Sequence, residues 1–125
     1  MAMIKDNHLA AAGGTGALPG LMARLRDAGV PVEVEVDSLE QLEEVLPLRP
    51  DRILLDNMTP GLLRLAVSMS SGSGSYLEAS GGVTLDTVRE IASTGVNGIS
   101  SGALTHSAAW ADIGLDWRVD EQTGA

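Results

Sequence analysis

Strand-like and helical segments alternate along this chain at a steady interval, and that rhythm excludes most architectures. Met3–Lys5, Val32–Val36, Arg52–Leu55, Tyr76–Ala79 and Asn97–Ser101 have the character of short strands. Their starts lie roughly 20 to 30 residues apart, the size of a βα unit. Leu18, Leu21, Met22, Leu25 and Ala28 recur at helical spacing before Gly29, which is placed as a stop. Ser38-Leu39-Glu40-Gln41 reads as a capping box opening a helix with Leu39, Leu42, Val45 and Leu46 on one face. Thr59 and Pro60 are a cap and first-turn proline leading into Leu62, Leu63, Leu65 and Ala66. Thr84 is predicted to start a further helix with Leu85, Val88, Ile91 and Ala92 on one face, ended by Gly95. Such alternation requires a mainly parallel sheet.

The predicted fold is α/β, a partial (β/α) barrel of about five parallel strands with intervening helices, each strand but the last followed by one. Residues 1–125 form a single unit, with 118–125 a polar, frayed tail. Ser70-Ser71-Gly72-Ser73-Gly74-Ser75 has linker composition and is expected to be a mobile loop remote from the site. An incomplete barrel exposes two strand edges, so self-association is expected, or flattening toward a flavodoxin-like sheet.

Composition narrows the function classes. Eight basic residues against 17 acidic ones give a formal charge of −9, which repels nucleic acid and anionic membranes. No cysteine is present, so disulfides, thiolate nucleophiles and zinc ribbons are excluded, which fits a cytoplasmic setting. With aromatic content at 2%, the core must be aliphatic.

Ligands of parallel α/β proteins sit beyond the carboxyl ends of the strands. Those ends carry Lys5-Asp6-Asn7-His8, then Glu33, Glu35 and Asp37 alternating with valines, then Asp56-Asn57, Ser80-Gly81-Gly82 and Ser101-Gly102. Five polar ends in succession form a pattern. The Val/Glu alternation puts the carboxylates on one face. That face is either the solvated side of an edge strand or the lining of a wet, ligand-filled barrel. Lys5, the sole lysine, is a surface cation or a strand-end ligand. Asp56 could cap the next helix, but Thr59 already fills that role, leaving it free for magnesium or ribose. The glycine pair lets backbone N–H groups approach an anion, and Gly102 could do the same. Gly13-Gly14-Thr15-Gly16 lacks dinucleotide spacing and reads as a loop. His8 and His106 are too far apart for a metal pair on one helix, and no nucleophile elbow, Walker motif or Ser/His/Asp pattern is present.

In order, Met3-Ile4-Lys5-Asp6-Asn7-His8, Glu33-Val34-Glu35-Val36, Leu54-Leu55-Asp56-Asn57, Glu78-Ala79-Ser80-Gly81-Gly82, Gly102-Ala103-Leu104-Thr105-His106-Ser107 and Asp112-Ile113-Gly114-Leu115-Asp116 resemble the quinolinate phosphoribosyltransferase family. The resemblance covers nearly the whole chain. It implies transfer of phosphoribose from phosphoribosyl pyrophosphate to quinolinate, with loss of carbon dioxide and pyrophosphate, giving nicotinate mononucleotide for NAD synthesis. By position it implies Lys5 as a substrate-binding and catalytic lysine. Glu35 and Asp56 correspond to carboxylates near the ribose and magnesium, both as catalytic groups and as metal ligands. Ser80, Gly81, Gly82 and Gly102 correspond to phosphate-binding loops, with His106 beside them.

The resemblance also implies a missing part. Family members are about twice this length, and their N-terminal half carries the basic segments that grip the substrates' negative charges. The chain is therefore expected to be a fragment, a short reading frame or an engineered piece, inactive alone. Two alternatives stand beside it: a short transferase completed by a basic partner or by self-assembly, and a non-catalytic (β/α) scaffold.

Overall fold

The computed structural model describes residues 1–5, 8 and 15–106. Asp6, Asn7, Gly13, Gly14, the Asp112–Asp116 motif and the 118–125 tail lie outside the described residues. Five strands form one sheet: β1 (Ala2–Ile4), β2 (Val32–Val36), β3 (Arg52–Asp56), β4 (Tyr76–Ser80) and β5 (Gly98–Ile99). They lie in the order β1-β2-β3-β4-β5, every neighbouring pair parallel. A flavodoxin-like sheet would reverse its strand order at a switch point. This one does not, so the flattened alternative is excluded and the sheet is one wall of a barrel.

The helices are α1 (Leu18–Asp27), α2 (Leu39–Val45), α3 (Pro60–Met69), α4 (Val88–Ala92) and α5 (Ala103–His106). Leu18, Met22, Leu42, Val45, Leu63, Ala66 and Ile91 share a core with Val32, Val34, Val36, Ile53, Leu55, Leu77 and Ala79. Those strand residues are alternate positions, so the helices cover one face. The other set, Glu33, Glu35, Arg52, Leu54, Asp56, Tyr76, Glu78 and Ser80, lines the opposite face. No described helix is long and apolar enough to cross a membrane.

Helix ends follow the sequence signals closely. Thr59 Oγ1 accepts from the Leu62 N–H, and Ser38 Oγ accepts from the Gln41 N–H, both at 3.4 Å. The reciprocal bond of the expected capping box is displaced by one residue: Gln41 Oε1 accepts from the Asp37 N–H at 3.0 Å. Gly29 and Gly95 take φ of 68° and 95° where helices stop, a region L-side chains avoid.

Three expectations need correction. Thr84 and Thr87 exchange side-chain-to-backbone bonds at 2.9 and 3.3 Å, but regular helix begins only at Val88 and Leu85 is 92% exposed. The two threonines cap the turn before the helix, and the Val88 N–H donates to the Thr84 carbonyl at 2.9 Å. The Ser70–Ser75 stretch is a hydrogen-bonded turn: Ser75 Oγ donates to the Pro50 carbonyl at 2.7 Å, and Ser70 is buried. It leads into β4, at the end of the sheet away from Asp56 and Ser80. Finally, β5 is only Gly98–Ile99 and a helical turn follows it. The Asn97 side chain continues the pairing, its Oδ1 accepting from the Leu77 N–H at 2.7 Å.

Candidate active site

The charged face is built by period two. Starting from Asp56 and counting back, β3 contributes Leu54 and Arg52, and from Ser80, β4 contributes Glu78 and Tyr76. Register brings Glu33 beside Arg52, Arg52 beside Tyr76, and Asp56 beside Ser80.

Lys5, just past β1, places its Nζ 2.7 Å from Glu35 Oε2 on β2, with Glu35 the more enclosed partner. Both residues singled out from the sequence therefore meet directly. The solvated-edge alternative for the Val/Glu strand fails, because β2 is flanked on both sides and Glu33 is 3% exposed. Burial pushes the Glu33 carboxyl above its ordinary range, and neighbouring Glu78 and then Glu35 push the same way; Arg52 and Lys5 pull it down.

Linkage gives the sign of that shift. A carboxyl whose pKa is raised on folding binds protons more tightly when folded, so its contribution to stability falls as pH climbs from the unfolded value of 4.5 through the folded one. Glu33→Gln should therefore raise the melting temperature at neutral pH and have little effect near pH 4. Equal effects at both pH values by thermal unfolding would refute the linkage.

Sequence reasoning passed over Arg52, Tyr76 and Ser100. Arg52 Nη1 donates to Glu78 Oε2 at 2.6 Å, and its guanidinium stacks 4.6 Å from the Tyr76 ring centroid. Glu78 Oε1 accepts a hydrogen bond from Ser100 Oγ. Tyr76 donates its hydroxyl to the Asn97 carbonyl at 3.0 Å across Gly98, where a Cβ would sit 2.6 Å from that hydroxyl. Counting back from Asp56 and Ser80 was the signal available for the first two.

At the carboxyl ends, Asp56 is half-buried and the Asn57 N–H donates to the Ser80 carbonyl at 2.8 Å. Gly81 has φ 88°, and a Cβ on it would lie 2.7 Å from both the N and Cα of Asn57. Its glycine is thus required by packing against Asn57 as well as by its dihedral. Gly82, at φ 60°, has only Asn57 Oδ1 nearby, at 3.9 Å, and is exposed. Ser101 Oγ donates to the Val83 carbonyl at 2.8 Å and ties the Gly82 loop to the turn holding Gly102. The helix behind the glycine pair starts only at Val88, six residues past Gly82, which corrects the expectation of a helix N-terminus directly behind the pair. The backbone of His106 closes α5 four residues past Gly102. A cavity of about 280 Å³ borders both Gly81 and Gly82, with Asn57, Thr59, Thr87 and Glu90 also in its lining, and does not include Glu35 or Asp56.

Among the described residues no three His, Asp or Glu side chains converge on a metal position. Magnesium commonly uses one or two carboxylates, with water and substrate phosphates completing its shell. Glu35 pairs with Leu54 on β3, two residues before Asp56 on the same face, and is already engaged by Lys5.

Residues 1–116 match the profile of the quinolinate phosphoribosyl transferase C-terminal domain. The chain is 45% identical over 118 residues to the carboxylating nicotinate-nucleotide pyrophosphorylase of Mycobacterium leprae, covering 92% of this chain and 41% of that protein. It is 43% identical to the chloroplastic protein of that name from Arabidopsis thaliana, covering 92% and 38%. The crystal structure of nicotinate-nucleotide pyrophosphorylase from Ehrlichia chaffeensis superposes with a TM-score of 0.76 at 42% identity, covering 85% of this chain and 38% of that one. The chain spans about two-fifths of the length of these relatives.

Proposed function

Because the chain belongs to the quinolinate phosphoribosyl transferase family, through its C-terminal domain, we propose that its charged face is one wall of a site for phosphoribosyl transfer to quinolinate. The ribose–pyrophosphate bond breaks, a bond to the pyridine nitrogen forms, and a carboxylate leaves as carbon dioxide. The electron pair left on the ring carbon takes up a proton. The products are nicotinate mononucleotide and pyrophosphate. The observation carrying this reading is the convergence of Lys5, Glu35, Asp56, Ser80 and Gly82 at the carboxyl ends of consecutive strands in a chain of this family.

Bond breaking builds oxocarbenium-like positive charge on the ribose, which Glu35 and Asp56 are suited to stabilise. Lys5 fixes the direction of the Glu35 carboxylate through their 2.7 Å ion pair. The amides around Gly82 and Gly102, with the Ser80 hydroxyl, would hold a phosphate, and His106 follows on the same turn. Asp56 and Glu35 would hold magnesium, which when bound neutralises the leaving pyrophosphate. A non-catalytic scaffold has no need of a buried carboxylate such as Glu33.

The substrates proposed are quinolinate and phosphoribosyl pyrophosphate, with the remaining part of a full-length relative as completing partner. Edge strands β1 and β5 support self-association, to be measured by light scattering. The absence of cysteine supports the cytoplasm, while some plant relatives are named for mitochondria or chloroplasts, so cell fractionation decides.

The test is calorimetry with inorganic phosphate and with nicotinate mononucleotide. Gly82→Ala puts a methyl into open space where the anion would lie, and should weaken phosphate binding about tenfold or more while costing about 1 kcal/mol of stability. Unchanged affinity in Gly82→Ala would reject the site.

A further inference from the structure

We propose that Glu78, held by Arg52, is a positioning residue that fixes, through Ser100, the turn carrying Gly102 against the Gly82 loop. The inference rests on reading those two loops as one anion site. Neither Arg52 nor Glu78 needs to touch the anion.

The Glu78 carboxylate divides its two oxygens between different elements. Oε2 takes the Arg52 guanidinium at 2.6 Å, and Oε1 takes the Ser100 hydroxyl on the far side of β4. Arg52 is itself restrained, because its guanidinium also stacks on Tyr76. That leaves Glu78 little rotational freedom, and a fixed acceptor is what a loop residue needs to be held in one place. Ser100 is held twice, since its N–H also donates to the Ala79 carbonyl at 2.9 Å. The next residue, Ser101, donates to the Val83 carbonyl at 2.8 Å, and the Gly102 carbonyl accepts from the Thr105 N–H at 3.0 Å. A continuous set of contacts thus runs from the start of β3 to the turn after β5. A charge pair serving stability alone would have no reason to spend one carboxylate oxygen on an exposed serine hydroxyl two residues before Gly102.

The test uses the full chain, with inorganic phosphate as probe and amide hydrogen exchange as a second readout. Ser100→Ala should bind phosphate about tenfold more weakly, the scale of one charge-assisted hydrogen bond. In the absence of phosphate it should exchange the Ser101 and Gly102 amides faster, with little change in thermal midpoint. Ser100→Thr, which keeps the hydroxyl, should restore both. Glu78→Gln keeps an acceptor for Ser100 but releases Arg52, and should show a smaller loss. If the wild-type chain binds phosphate and Ser100→Ala matches it in affinity and exchange, the positioning role is overturned and the anion site stands. If the wild-type chain binds no phosphate, the anion site is rejected. The exchange rates then decide the positioning role alone: faster exchange in Ser100→Ala supports it, and unchanged exchange overturns it.

Discussion

Given quinolinate, phosphoribosyl pyrophosphate and magnesium, the 125-residue chain alone is expected to form no measurable nicotinate mononucleotide. The charges of the strand face supply the reason. Among the described residues it presents Glu33, Glu35, Asp56 and Glu78 as carboxylates, with Lys5 and Arg52 as cations. Lys5 is engaged by Glu35 and Arg52 by Glu78, so both cations are largely neutralised before substrate arrives. The substrates bring two ring carboxylates, a phosphate and a pyrophosphate into a chain already at −9. Each charge left unpaired in a closed site costs several kcal/mol, and every 1.36 kcal/mol is about tenfold in rate. Two such charges lower turnover by about four orders of magnitude or more. Adding the remaining part of a full-length relative in trans should restore turnover if it supplies the cations. In that mixture Glu35→Ala or Asp56→Ala should abolish product, while exposed Glu43→Ala should not. Robust turnover by the chain alone, followed by product chromatography, would overturn this account.

The parts of the structure legible in the sequence are those set by local chemistry. Val32–Val36 forms the predicted strand to the residue, because valine at alternate positions fixes both its extension and its buried face. Ser38, Thr59, Gly29 and Gly95 mark helix ends through bonds or φ values that depend on one or two neighbours. The illegible parts depend on register. Nothing local to Glu33 shows that Arg52 faces it from the next strand, or that Glu78 lies beyond. The same residue therefore suits either a solvated edge or an enclosed wall until the strands are aligned. Glu35 stands out in the sequence as a candidate site residue, but its Lys5 partner is assigned only once β1 lies beside β2. The Ser/Gly turn shows the opposite failure. Its composition suggests freedom, and the bonds that restrain it come from distant Pro50 and from its own serines.

Gly81→Ala should be among the most destabilising single substitutions in this chain. Two separate costs meet there. The first is backbone strain, since φ is 88° and an L-side chain adopts such a conformation at about 1 to 3 kcal/mol. The second is collision. The new Cβ would stand 2.7 Å from the Asn57 N and Cα and 3.0 Å from its Cβ, and the first two are backbone atoms that cannot rotate away. Relief requires moving Asn57, which itself holds φ 53° and whose N–H donates to the Ser80 carbonyl at 2.8 Å. Shifting it strains that bond, between the two strand ends that carry Asp56 and Ser80. The expected loss is on the order of 3 kcal/mol or more, or about 10 °C in melting temperature for a domain of this size. Gly72→Ala separates the two costs. Gly72 has a similar φ of 80° but nothing within 4 Å of its added Cβ, so only the strain remains, at about 1 kcal/mol. Denaturant unfolding of both variants measures the difference. Equal losses would mean that Asn57 yields without cost, and that Gly81 is a glycine for its dihedral alone. A larger loss at Gly81 would instead show that this glycine also closes the β3 and β4 loops against each other.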